Sequence, residues 1–100
     1  MVLVTGASGQ IGSTLCSLFR SAGREVLAVD INPNSAENVE PCDIRRSDQV
    51  RRLLESAPIR TVIHLAAVLP TAFRADPVAA AEVNLTGTLN VLGEAVTHRV

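Results

Sequence analysis

Short apolar runs alternate with amphipathic stretches along this chain. Met1-Val2-Leu3-Val4 reads as a short buried strand. Ile11, Leu15, Leu18 and Phe19 then fall at helical spacing. The helix is expected from about Gln10 to Ala22, with Gly23 as a left-handed C-cap and Arg20 and Arg24 complementing its dipole. A second strand runs from Glu25 or Val26 to Asp30. The polar loop from Ile31 to Asn38 is short for a parallel crossover. The third strand must therefore be brief, Val39 to Cys42, and the second crossover helix missing or a single turn.

Arg45-Arg46-Ser47-Asp48 opens a helix that ends near Ser56, ahead of Pro58, with Ser47 or Asp48 as N-cap. Val50, Leu53 and Leu54 form its buried face, and Arg45, Arg46, Arg51 and Arg52 stay solvated. Thr61-Val62-Ile63-His64-Leu65-Ala66-Ala67 is almost continuously apolar, as strands buried on both faces are. A loop follows from Val68 to Asp76. Asp76-Pro77 then starts a long helix to about His98, whose buried stripe is expected to be Val78, Leu85, Leu89, Leu92 and Val96.

The first strand-to-helix junction, Thr5-Gly6-Ala7-Ser8-Gly9-Gln10-Ile11-Gly12, carries the clearest chemistry. One glycine there lets the chain turn off the strand. A second lets a phosphate approach the backbone, and a third lets helix and sheet pack closely. The helix N-terminus aims N–H groups and a positive dipole end at the turn, which suits a pyrophosphate. A tight turn with no ligand is the plainer alternative. Asp30, at the tip of the second strand, stands where a ribose 2′-OH would sit and where its charge would repel a 2′-phosphate. That context favours dinucleotide binding, with NAD preferred to NADP.

Two residues, Ala7 and Ser8, separate Gly6 from Gly9. This spacing resembles the extended short-chain dehydrogenase/reductases, the NAD-dependent epimerases and dehydratases that act on nucleotide sugars or similar alcohols. The resemblance implies an α/β, Rossmann-like parallel sheet of order 3-2-1-4 with helices on both faces, truncated before the fifth strand. It implies a cofactor site made of Gly6, Gly9, Gln10, Ile11, Gly12, Asp30, Asp43, Ile44, Leu65, Ala66, Ala67 and Asn84. In it Asp43 and Ile44 meet the adenine, and Leu65-Ala66-Ala67 lies beside the nicotinamide ribose. Asn84-Leu85-Thr86-Gly87-Thr88 resembles the family's Asn-x-x-Gly-Thr. Asn84 there supports the active site, and Val83 lacks the polar reach to the cofactor that some relatives have. Asp43 could instead be a turn residue. Gly87 could permit close packing on the sheet. Leu69, Pro70, Thr71 and Phe73 are candidates for substrate contact, and Arg74 defaults to an exposed side chain.

Composition limits what the chain can do. Its 100 residues make one small domain, 1–100, with a net charge of −1 and scattered arginines, so no nucleic-acid partner is expected. No apolar run is long enough to span a membrane, and no leader peptide is expected before the first strand. Cys16 and Cys42 have neither metal nor redox spacing and are expected to be reduced thiols in a cytoplasmic protein. The chain has no tyrosine, and all nine basic residues are arginine. The family's Tyr-x-x-x-Lys pair, in which lysine lowers the pKa of the acid/base tyrosine, is therefore absent from these residues. His64 is a possible proton shuttle but fits better as a core histidine. No catalytic or metal-binding residue is assigned. The expected role is the cofactor half of such an oxidoreductase, inactive alone; a stand-alone dinucleotide sensor and a degenerate remnant remain the alternatives. The fourth strand is expected to be an open edge, through which the chain would associate with itself or with a missing C-terminal half. Marginal stability is the other expected consequence of that edge.

Overall fold

The computed structural model describes residues 1–33 and 38–100. The expected polar loop and any crossover turn at 34–37 lie outside the described residues. Four parallel strands form the sheet: β1 (Val2–Thr5), β2 (Val26–Asp30), β3 (Val39–Pro41) and β4 (Thr61–His64). Their order is β3-β2-β1-β4. In register, Val2 stands between Val26 and Thr61, and Thr5 between Val29 and His64. Side chains alternate across β1. Leu3 enters one apolar cluster with Val29, Val50, Leu54 and Val91, while Val4 enters the other with Ala28, Cys16 and Val39. Helix α1 (Gln10–Ser21) thus covers one face, and α2 (Ser47–Ser56) covers the other with the C-terminal helical run.

Helix α1 meets the sheet through Gly12 and Cys16, both buried, while Ile11 and Leu18 of the expected apolar spacing are exposed. Gly23, with φ +72°, closes the helix as expected. Helix α2 begins one residue earlier than the sequence suggests, with Arg46 in the cap position and no side-chain cap. The Asp48 carboxylate is drawn aside by Arg46 and Arg52. The turn ahead of the helix is held instead by Gln49, whose Oε1 accepts the Asp43 N–H at 2.8 Å.

Strand β4 is shorter and less buried than its apolar sequence implies. Thr61 is exposed and the next three residues are half-buried, because among the described residues β4 pairs with β1 alone. The following segment is not a plain loop. Pro70–Ala75 form a short helix, α3. Asp76 caps the next one, α4 (Pro77–Ala81), by accepting the Ala79 N–H at 3.0 Å.

The long C-terminal helix is present but interrupted. A π-helical turn, Glu82–Gly87, joins α4 to α5 (Thr88–Thr97). The stripe expected to be buried is on the outside, with Val78, Leu85, Leu89, Leu92 and Val96 each more than half exposed. The face turned inward carries Ala80, Gly87, Val91 and Glu94. Close approach explains the reversal. A Cβ on Gly87 would lie 2.6 Å from Cδ1 and 2.7 Å from Cγ1 of Ile44, so a large residue has no room there. Gly87 therefore packs closest on Ile44 of the β3–α2 turn. Glu94 is tolerated inside because Arg51 of α2 binds both its carboxylate oxygens, at 3.1 and 3.4 Å.

The two glycines of this helical run should respond oppositely to alanine. A Cβ on Gly93 meets nothing within 4 Å, so Gly93→Ala should raise the unfolding free energy by about 1 kcal/mol through helix propensity. Gly87→Ala should lower it by about 1–3 kcal/mol through overpacking. Urea titration of the three proteins checks both signs.

Candidate functional site

The C-terminal ends of β1, β2, β3 and β4 open into a cavity of about 600 Å³. It lies at the carboxyl ends of the neighbours β1 and β4, whose following helices cover opposite faces, the place where open α/β sheets receive ligands. Gly6, Gly9, Gln10, Ile11 and Gly12 line one end, Asp30, Asp43 and Ile44 another, and Leu65, Ala66 and Ala67 a third side. Eleven of the twelve sequence-derived positions thus border one space. The twelfth, Asn84, stands behind it. Its Oδ1 accepts the Val68 N–H at 2.7 Å and its Nδ2 donates to the Val68 carbonyl at 3.1 Å, so the amide holds the segment after β4 in place.

Backbone proximity shapes the glycine turn. Gly6 has φ +69°, and a Cβ there would lie 2.6 Å from the Ala66 nitrogen. On Gly12 it would lie 2.2 Å from the Gly6 carbonyl oxygen. Those two glycines let β1, α1 and the end of β4 converge. Gly9 differs, since its Cβ would meet only the Gly6 oxygen, at 3.3 Å. Gly9 is exposed on the cavity wall, and among the described residues the Gly6 carbonyl alone crowds its Cβ position. A cradle left open on the ligand side is what a phosphate approaching the backbone needs. The first intrahelical bond of α1 runs from the Ser13 N–H to the Gly9 carbonyl at 2.9 Å. The N–H groups of Gln10, Ile11 and Gly12 precede it and so lack an acceptor within the helix. Among the described residues no side chain comes within 4 Å of the Cβ position of Gly9, and the residues present fit a pyrophosphate.

Asp30 borders the cavity and is oriented by the backbone. One carboxylate oxygen accepts the Ser8 N–H of the glycine turn at 3.0 Å, the other the Asn32 N–H at 3.3 Å. The acid at the tip of β2 and the turn after β1 therefore form one structure. Asp43 is held still more firmly. Its carboxylate receives the Arg45 guanidinium at 2.7 and 2.9 Å and the Arg45 N–H at 3.0 Å. The hydrogen bonds from Arg45 keep the Asp43 carboxyl below the ordinary carboxylate range. Both the turn role and a cavity-facing position are thus true of Asp43. Cys42 beside it is buried, and burial with the Asp43 charge pushes its thiol up to about 11, which removes it as a nucleophile.

His64 is absent from the cavity wall. It joins a polar chain beneath it, with Thr5 Oγ1 2.7 Å from Nδ1 and Thr88 Oγ1 3.0 Å from Nε2. The proton order follows from the partners. Thr5 Oγ1 already accepts the N–H groups of Leu65 and Ala66, at 3.2 and 3.3 Å, so its own proton goes to Nδ1. Nε2 then donates to Thr88, which donates to the Asn84 carbonyl at 2.7 Å. A neutral ring is required, and burial lowers the pKa of His64 accordingly. It is the core histidine expected, with two hydrogen bonds where the sequence suggested one.

Sequence reasoning missed several wall residues: Thr5, Ile31, Cys42, Arg45 and Val68. Arg45 had a usable signal, since it follows an aspartate by two positions, the spacing of an Asx turn. Val83 does reach the cavity, as an apolar surface. Of the four candidates for substrate contact, Leu69 lines the space; Pro70, Thr71 and Phe73 belong to α3.

Two outcomes follow. Gly9→Ala should fold with wild-type stability, within about 1 kcal/mol, while Gly12→Ala, colliding with backbone, should lose more than ~2 kcal/mol or fail to fold; thermal melts separate them. His64 binds a proton more readily unfolded than folded. Stability should therefore hold above the ordinary histidine value of 6.5 and decline as pH falls below it. A His64→Gln protein should lack that part of the pH dependence in denaturant titrations across the range.

The chain matches the model of the NAD dependent epimerase/dehydratase family over residues 2–100. It is 29% identical over 107 aligned positions to an uncharacterized epimerase/dehydratase of Staphylococcus haemolyticus, covering 99% of this chain and 34% of that protein. The L-threonine dehydrogenase of Phytophthora infestans superposes with a TM-score of 0.92 at 30% identity, covering 99% of this chain and 33% of the enzyme. The UDP-glucose 4-epimerase of Thermus thermophilus, solved in complex with NAD, superposes at 0.86 with 32% identity, covering 99% and 34%. The chain thus spans about a third of the length of the relatives it matches. A parallel 3-2-1-4 sheet, an open glycine cradle and a match along almost every residue lead to one assignment: this chain belongs to the NAD dependent epimerase/dehydratase family.

Proposed function

We propose that residues 1–100 form the dinucleotide-binding domain of an NAD-dependent oxidoreductase that acts on a nucleotide sugar or similar alcohol, and that they bind cofactor without turning substrate over. The observation carrying this reading is the open side of Gly9 next to the first-turn N–H groups of α1. Gly6 and Gly12 set that cradle, and Gly9, Gln10 and Ile11 receive the pyrophosphate. Asp30 takes the ribose of the adenosine half, Asp43 and Ile44 meet the purine, and Leu65, Ala66 and Ala67 back the nicotinamide ribose. Asn84 acts through Val68 as a positioning residue. NAD supplies a hydride acceptor when bound. The base that would work with it is not among these residues, which include no tyrosine and no lysine.

Asp30 favours NAD over NADP in this reading. Its carboxylate, fixed by two backbone N–H groups, can accept a ribose hydroxyl but stands against a 2′-phosphate. Self-association or contact with further family structure, through the open edge of β4, belongs to the same proposal. The outward stripe from Leu85 to Val96 adds apolar surface that water covers poorly.

Calorimetric titration of the chain with NAD and with NADP tests the reading. Binding of NAD at least about tenfold tighter than NADP is expected. Asp30→Asn should bring the two within about threefold of each other. Absence of binding by either nucleotide would remove the proposal, and an unchanged ratio in Asp30→Asn would remove Asp30 from the ribose site.

A further inference from the structure

We propose that Arg45 is a positioning residue for purine recognition, and that its fork on Asp43 makes the site distinguish a 6-amino purine from a 6-oxo purine. The inference rests on the dinucleotide reading above and extends it to a residue outside the expected cofactor set.

Arg45 and Asp43 both line the cavity, on either side of the buried Ile44. The Arg45 Nη2 lies 2.7 Å from one carboxylate oxygen of Asp43, and its Nε lies 2.9 Å from the other. The Arg45 N–H adds a third bond to that second oxygen, at 3.0 Å. Such a planar two-point grip fixes the carboxylate plane as well as its position. The grip also keeps Asp43 charged, and a charged carboxylate is an acceptor only.

The two carboxylate oxygens of Asp43 are unequally used. The oxygen that takes both the Arg45 N–H and the 2.9 Å Nε bond is filled. The other takes Nη2 at 2.7 Å and a longer Nε contact at 3.1 Å, and so retains acceptor capacity. An exocyclic amino group can donate to it. A 6-oxo group would instead set oxygen against a fixed anion, with no donor to offer. Removing the fork would let the carboxylate turn to water or to its own backbone, and discrimination would fall. A plain turn staple would make a different statement, since its loss would weaken both purines alike.

The test is a binding comparison of NAD with nicotinamide hypoxanthine dinucleotide, which differs only at the purine 6-position. Wild-type protein is expected to bind NAD about tenfold more tightly. Arg45→Met should lose most of that ratio through weaker NAD binding, with hypoxanthine-dinucleotide affinity within about twofold of wild type. Arg45→Lys keeps the charge without the fork; it should lose the ratio too, and it serves if Arg45→Met does not fold. A ratio unchanged in Arg45→Lys, or both ligands weakened equally, would overturn the role of Arg45 while leaving the dinucleotide reading intact. Failure of wild-type protein to bind either ligand would overturn both.

Discussion

Three backbone segments meet at the top of this sheet more closely than side chains permit. The Gly6 position touches the Leu65–Ala66 backbone, and Gly12 touches Gly6. That convergence brings the N-terminus of α1 to the mouth of the cavity and sets the carboxyl end of β4 against the turn. Beneath it the Thr5 hydroxyl accepts two N–H groups from β4's continuation and donates a hydrogen bond to His64. The Leu65 N–H also reaches the Thr5 carbonyl at 3.1 Å, but close packing alone would leave the Ala66 N–H without an acceptor. The threonine hydroxyl supplies it, so the steric and polar requirements of the junction are met by adjacent residues, Thr5 and Gly6.

The same economy reaches the far side of the site. Thr88 accepts from His64 and donates into the π-helical turn at Asn84. Asn84 spends its amide on Val68. A continuous run of hydrogen bonds thus joins the glycine turn, the strand beside it and the helix behind it. A π-helical turn adds a residue to the helical path and re-aims the side chains around it. Here it coincides with the turn that holds Asn84 and Gly87.

Much of this was legible in the residues. Strand pattern, glycine spacing and Asp30 mark the nucleotide-type junction, because backbone close approach leaves glycines and strand-end acids as visible marks; the sheet order and most of the cavity wall follow from the family resemblance those residues carry. The long helix was misjudged for a specific reason. Apolar periodicity cannot say which of two apolar faces is nearer the core, and the larger residues look like the better candidates. Contact with Ile44 leaves no room for a side chain at Gly87, so that face turns inward and the leucines outward. Arg45 was overlooked because an arginine beside other arginines reads as solvated surface; only coordinates show it folded back on Asp43.

The sheet's first strand is an interior one, and this bears on how the chain reaches its native state. β1 finds one neighbour in β2, close along the chain, but the bond from Thr5 to His64 spans 59 residues. On a ribosome the opening strand would wait, one side bare, until nearly two thirds of these residues had been made. Distant pairings of this kind slow folding and lengthen the interval in which apolar edges can meet the wrong partner. Because the glycine turn packs against the end of β4, it is completed only once that distant strand has found its place.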